Sequence, residues 1–214
     1  PDPASTAGRA DWQKILERTL PHVDIYAPNL EETLYMIDRP RYTALTAGSA
    51  GQAVPDGDLL RETAGRLLDM GAAIVALKLG DRGLYLRTSA DRRRLGALAG
   101  LLPAELTGWV DRELYTPCFR VRVAGTTGAG DCAYAGLLAG LLYGQSIEAV
   151  LLSAAAAGAC SVEAADATSG VPRWDEVQAR LRAGWPQQGP ALPLAGWRKD
   201  AGSMVWYGPT DGQP

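Results

Sequence analysis

The segment Gly125-Thr126-Thr127-Gly128-Ala129-Gly130-Asp131 holds residue types that can bind and transfer a phosphoryl group. The apolar stretch 132–143 that follows reads as a buried helix. A helix start leaves its first backbone N–H groups without intrahelical partners, at the positive end of the helix dipole. At Gly128, Ala129 and Gly130 no bulky side chain keeps an anion from that backbone, and Thr126 and Thr127 add hydroxyls on the approach. This anion hole suits the charge that develops on a transferring phosphoryl group. Asp131 falls in the first helical turn. It either complements the dipole, as many first-turn acids do, or accepts the proton of a substrate hydroxyl. The loose transition state of phosphoryl transfer asks mainly for positioning and charge stabilisation, so a carboxylate in this place can serve. No Lys-Ser/Thr pair ends the turn, so it is not a Walker A loop. Its spacing, G-x-x-G-x-G with Asp next, late in the chain, disfavours a dinucleotide fingerprint and with it an oxidoreductase.

Other candidates lie upstream and downstream. Asn29 and Glu32 stand at N-cap and N3 of a predicted helix, the positions of a capping-box pair. Lys78 closes a predicted buried strand, where a lysine can snorkel, and Gly80 and Gly83 read as turn formers. His22 is the only histidine, which excludes His-rich metal sites, and no nucleophile motif points to it.

The elements that must position these residues follow from capping and periodicity. Helices are predicted over 11–19 (Asp11 as N-cap), 29–37, 58–70, from the glycine turn to about 143, 147–162 (Ser146 as N-cap) and 173–182. Strands are predicted over 23–27, 73–79, 84–88 and 118–123. The run 73–79 is apolar but for Lys78, as a parallel strand covered on both faces would be. Residues 1–10, 38–56 and 163–170 read as loops, and 89–116 as a surface excursion. Residues 1–185 form the first unit. The Pro-, Gly- and Trp-containing tail, 186–214, is either an extension of the fold or a weakly ordered end. Strands alternating with helices imply a layered α/β fold with a largely parallel sheet.

Composition narrows the function. With 214 residues the chain has room for one sizeable core. Its net charge of −3 lacks the basic footprint of a nucleic-acid binder, and Arg92-Arg93-Arg94 reads as a solvated loop face. The apolar run 132–143 is too short to span a bilayer, so no membrane partner is expected. Cys118, Cys132 and Cys160 lack metal-ligand spacing and read as reduced thiols of a cytoplasmic protein. The chain begins at Pro1 without Met and is expected to be a processed or partial chain.

Residues 126–131 and the small, apolar helix after them resemble the second signature, D-T-x-G-A-G-D, of the ribokinase-like (PfkB-type) carbohydrate kinases. Pro28-Asn29-Leu30-Glu31-Glu32 is similar to that family's N-x-x-E element, and Lys78-Leu79-Gly80-Asp81-Arg82-Gly83 to the strand-turn bordering its nucleotide. The resemblance runs from about residue 2 to about residue 183. It implies a three-layer α/β/α ribokinase-like fold with a mostly parallel sheet. It also implies ATP and Mg²⁺ as cofactors, and phosphoryl transfer to a hydroxyl of a sugar or sugar-like small molecule. Carried over residue by residue, Asp131 is the base and Gly128, Ala129 and Gly130 form the anion hole. Thr126, Thr127, Lys78, Gly80, Gly83 and Ala154 border the nucleotide, and Asn29 and Glu32 organise Mg²⁺ indirectly, through water. The capping and metal roles of that pair can both hold.

Two departures limit the carry-over. Gly125 stands where the family usually has an Asp that helps bind an activating monovalent cation, which puts such activation in doubt. The family's N-terminal portion, with its glycine-pair signature, most sugar-binding residues and a β-sheet lid, is not found, so the chain is expected to be the C-terminal portion. The lid often forms the dimer interface, which leaves a homodimer open. The alternative is a non-catalytic nucleotide-binding module or a truncated kinase remnant.

Overall fold

The computed structural model describes residues 4–47, 54–98, 100 and 106–212. Its elements in chain order are α1 (Trp12–Thr19), β1 (Ile25–Tyr26), α2 (Leu30–Ile37), α3 (Arg39–Thr46), α4 (Gly57–Asp69), β2 (Ile74–Lys78) and β3 (Leu84–Thr88). There follow α5 (Arg92–Gly96), β4 (Glu113–Thr116), α6 (Ala129–Leu142), α7 (Ile147–Ser161), α8 (Trp174–Arg182) and β5 (Trp206–Tyr207).

Strand β2 explains the layering. Side chains alternate across a strand. Val75 and Leu77 enter a core shared with α1, α2 and α4, while Ile74 and Ala76 enter one shared with α6 and α7. Helices thus cover both faces, which is why the strand is apolar up to Lys78 at its end. The result is the expected three-layer α/β/α arrangement. The sheet runs β1-β2-β3-β4-β5. It is mixed, where a mostly parallel one was expected: β1–β2 is parallel and the other pairs are antiparallel. For β2–β3 the reason is connection length. One 3-10 turn, Gly80–Arg82, joins β2 to β3, and a parallel return needs a crossover a dozen or so residues long.

Three segments depart from the sequence reading. The expected loop 38–56 contains α3, capped by Asp38, whose Oδ1 accepts from the Arg41 N–H at 3.2 Å; residues 48–53 lie outside the described residues. The expected surface excursion 89–116 carries α5 and β4 and buries Leu95, Leu98, Trp109 and Leu114; residues 99 and 101–105 lie outside the described residues. Arg94 is not a solvated face either. Its guanidinium donates to the Gly71 and Val23 carbonyls and pairs with Asp24, tying the starts of β1 and β2 together. The expected strand 118–123 is reduced to one bridge, Phe119 to Gln187. Phe119 turns away to stack on Trp185 with ring centroids 4.6 Å apart, in a separate cluster with α7 and α8.

The tail packs into the core. Trp197 lies edge-on to Tyr85 and Tyr115, and β5 extends the sheet beyond β4. Asp211 accepts from Arg112 Nε at 2.8 Å and from the Glu113 N–H at 2.9 Å.

Candidate active site

Helix α6 is held by its neighbour α7. A Cβ at Gly136 would lie 2.7 Å from both the Ala157 Cβ and the Ser153 carbonyl, so only glycine lets the two axes approach this closely. Leu137 and Leu141 reach past the contact into the core. Ala154 is fully buried in this interface, and the structure does not bring it to the cleft described below. Its smallness admits Gly136.

The turn before α6 rests on the loop after α7. The Ala124 and Gly125 N–H groups both donate to the Val162 carbonyl. A Cβ at Gly125 would meet the Ala165 carbonyl oxygen at 2.8 Å, which explains why no aspartate stands there. Gly128 adopts φ 79°, and a Cβ on it would lie 2.6 Å from the Ala167 carbonyl oxygen. It therefore needs to be glycine on both counts. The supporting loop is itself braced. Ser161 Oγ and Cys132 Sγ donate to the Ala167 carbonyl. The Asp166 carboxylate accepts from the Thr168 N–H, the Ser169 N–H and the Ser169 hydroxyl, and these bonds, the hydroxyl's foremost, hold its pKa down to about 2. Sequence reasoning passed over this brace. Its signal was an aspartate followed three residues later by serine, the pattern of an Asx-turn.

The start of α6 is left open. No side chain caps it. The Ala129 N–H donates to the Thr126 carbonyl at 3.3 Å, whereas the Gly130 and Asp131 N–H groups have no acceptor among the described residues. Thr126, Thr127 and Asp131 are exposed beside them. The Asp131 carboxylate makes no hydrogen bond or ion pair among the described residues.

Lys78 connects this helix start to a cleft. Its backbone continues the parallel pairing beyond β1, donating to the Pro28 carbonyl at 3.1 Å opposite Asn29. Its ammonium lies 3.2 Å from where a Cβ on Gly130 would stand, and it has no partner among the described residues. A positive group thus faces the positive end of a helix. The two like charges oppose each other, an opposition that an anion between them would reverse. The cleft, of about 230 Å³, is lined among others by Asn29, Leu30, Lys78, Gly80, Asp81 and Arg82. Asp81 and Arg82, part of the strand-turn singled out in the sequence, line the cleft with them. Gly80 borders the cleft directly. Gly83 sits beneath it, where a Cβ would collide with the Thr116 carbonyl.

Asn29 and Glu32 form a complete capping box on α2. Asn29 Oδ1 accepts from the Glu32 N–H at 2.6 Å, and Glu32 Oε2 accepts from the Asn29 N–H at 3.2 Å. Asn29 Nδ2 and Glu32 Oε1 keep no partner among the described residues, so the pair retains polar capacity outside the cap. Among the described residues no group of three or more His, Cys, Asp or Glu side chains could hold a metal ion, and no helix is long and apolar enough to cross a membrane. His22 is exposed at the end of a 3-10 turn. The three cysteines are free, and burial raises the Cys118 thiol to about 11.

The sequence profile of the pfkB family carbohydrate kinases matches residues 5–174. A sugar kinase of unassigned substrate from Archaeoglobus fulgidus is 28% identical over 171 residues, which are 80% of this chain and 51% of that protein. The 2-dehydro-3-deoxygluconokinase of Bacillus subtilis is 30% identical over 133 residues, 62% of this chain and 33% of that one. The chain thus spans about half of the length of the first of these relatives and a third of the second. Among solved structures, Arabidopsis thaliana ribokinase complexed with ribose and ATP superposes with a TM-score of 0.54 at 22% identity, over 78% of this chain and 43% of that one, and shares the fold. With most of its length matched by the profile, and the signature turn opening α6 beside Lys78, this chain belongs to the pfkB family of carbohydrate kinases.

Proposed function

We propose that this chain carries the phosphate-handling side of an ATP-dependent kinase that phosphorylates a hydroxyl of a sugar or sugar-like small molecule. The observation that carries the reading is the uncapped start of α6, where the Gly130 and Asp131 N–H groups lack acceptors among the described residues and the Asp131 carboxylate stands exposed beside them. Those N–H groups, with Gly128 and Ala129 shaping the turn, would hold the transferring phosphoryl group. Asp131 would take the proton of the attacking hydroxyl. Thr126, Thr127, Lys78, Gly80 and the Gly83 turn would border the nucleotide phosphates. Ala154 would act through the α6–α7 contact instead of touching the base.

The residues present fit an indirectly held Mg²⁺. Among the described residues Glu32 Oε1 is a hard oxygen without a partner, and Asn29, whose Nδ2 has no acceptor among them, lines the cleft. Both could order the water shell of a magnesium ion, which when bound neutralises phosphate charge. A monovalent cation has no carboxylate to hold it at Gly125, and the Ala165 carbonyl denies room for one. Action in the cytoplasm, where thiols such as Cys118 stay reduced, agrees with this reading.

The test is an ADP-release screen over sugars, sugar acids and nucleosides, run beside calorimetry with ATP and Mg²⁺. Asp131→Asn should lower turnover by about 10²- to 10⁴-fold while ATP binding is retained. Turnover like wild type in that variant sinks the assignment of the base. ATP binding without turnover of any acceptor favours the non-catalytic module.

A further inference from the structure

The turn that borders the cleft is propped from behind by a segment beyond residue 174, where the match to the family ends. The turn Gly80–Arg82 closes through its own backbone: the Arg82 N–H donates to the Leu79 carbonyl at 3.2 Å and the Gly83 N–H to the Gly80 carbonyl at 3.4 Å. The Arg82 carbonyl takes no part in that closure. It accepts instead from the Tyr115 hydroxyl at 2.5 Å. Tyr115 is fully buried on β4, with its ring edge-on to Trp197. The Ala191 backbone hydrogen-bonds the same hydroxyl. Just past β4, Cys118 Sγ donates to the Gly80 carbonyl at 3.5 Å. The end of β4 is in turn tied to the tail. The Gln187 side-chain amide donates to Thr116 Oγ1 at 2.7 Å, the Gln188 N–H to the Cys118 carbonyl at 2.8 Å and the Arg120 N–H to the Pro186 carbonyl at 2.8 Å.

We propose that Tyr115 and the tail segment 186–197 position the nucleotide by fixing the Gly80–Arg82 turn from the side away from the cleft. The proposal rests on the reading above that this turn borders the nucleotide. Neither Tyr115 nor the tail is among the described residues lining the cleft, so both act through the turn. A ligand that meets a loose turn must order it, and affinity falls by that cost; a turn already held avoids it. Phenylalanine would fill the Tyr115 site equally well, and only the hydroxyl joins the turn to the tail. The coupling is reciprocal: if the tail strengthens nucleotide binding, bound nucleotide steadies this part of the tail by the same factor.

The experiment uses the 214-residue chain with ATP and Mg²⁺ as the probe, titrated calorimetrically into wild type, Tyr115→Phe, Gln187→Ala and Thr210→Val. Tyr115→Phe keeps the ring and removes the bonds to Arg82 and Ala191. It should lower ATP affinity about three- to tenfold, the worth of one hydrogen bond, and Gln187→Ala should lower it less. Thr210 also ties the tail to β4, through the Glu113 carboxylate at 2.6 Å, but that bond does not reach the turn. Thr210→Val should lower the urea midpoint with ATP affinity kept. Amide hydrogen exchange in wild type reads the same coupling without a substitution, so a variant that fails to fold leaves the test intact. Saturating ATP should slow exchange at Gln188 and Ala191 more than at Arg198 and Tyr207, which pair with each other farther along the tail. ATP affinity retained in folded Tyr115→Phe, an equal loss in Thr210→Val, or uniform slowing along the tail would overturn the proposal and leave the phosphotransferase reading standing. A wild type that binds no ATP would overturn both.

Discussion

Helices α2 and α6 both begin beside Lys78, and they begin in opposite ways. Helix α2 is closed by its own residues: Asn29 and Glu32 satisfy each other's backbone N–H groups. Helix α6 begins on a left-handed glycine with no side-chain cap and keeps two N–H groups unengaged among the described residues. A capped start stabilises the fold locally. An open start leaves its stabilisation to be supplied by packing elsewhere and keeps its donors for a ligand. Here that packing is the glycine-mediated contact of α6 with α7 and the Asp166-braced loop beneath the turn. The comparison teaches that one helix start is closed for stability and the other left open, as the proposed chemistry requires, although both carry an acid in the first turn.

Breaking the support of α6 should have the larger effect. Gly128→Val places a β-branched side chain at positive φ against the Ala167 carbonyl. It should destabilise the fold by about 4 kcal/mol, strain and overpacking together, as read from urea unfolding. A loss well under 1 kcal/mol would mean that the turn is adaptable and not preformed. Asn29→Ala, which opens the start of α2, should cost about 1 kcal/mol and Asn29→Gly only a few tenths, as ordinary caps do. A much larger loss, or one that vanishes when nucleotide is present, would show that α2 is not mainly a structural start. The smallest effect concerns the brace. The folded-state pKa of Asp166 is depressed to about 2. Its stabilising contribution is therefore fully present above the ordinary carboxylate range and fades as pH falls through that range to about 2. The difference in melting temperature between wild type and Asp166→Ala should be present at neutral pH and absent in strong acid. A difference that persists in acid would contradict the brace.

Where local chemistry decides structure, the sequence was a sufficient guide. Asp11, Asn29 and Ser146 cap the helices assigned to them, and the apolar run at β2 lies between two layers of helix. Helix α3 carried a readable signal, Asp38 with Pro40 in the first turn, which the polar surroundings obscured. Strand β4 was not readable in the same way. Glu113 makes it look exposed, yet the carboxylate is fully buried and bound by Arg61, Tyr85 and Thr210, residues from distant parts of the chain. The run 118–123 has strand-like alternation, but its apolar side follows Trp185 into another cluster. At the site, the uncapped glycine turn and the first-turn place of Asp131 were legible because they depend on adjacent residues. The meeting of Lys78 with Gly130, and the burial of Ala154 under Gly136, depend on helix and sheet placement that no local pattern encodes.

The two helix starts can be compared in one experiment. The chain, labelled with ¹⁵N, is titrated with the non-hydrolysable β,γ-imido analogue of ATP in the presence of Mg²⁺, and backbone amide resonances are followed. The account predicts large, saturable shifts at the Gly130 and Asp131 amides, with the Glu32 amide, already bonded to Asn29 Oδ1, moving little. Saturable binding that leaves Gly130 and Asp131 unmoved would contradict the claim that the open start of α6 is the phosphate site.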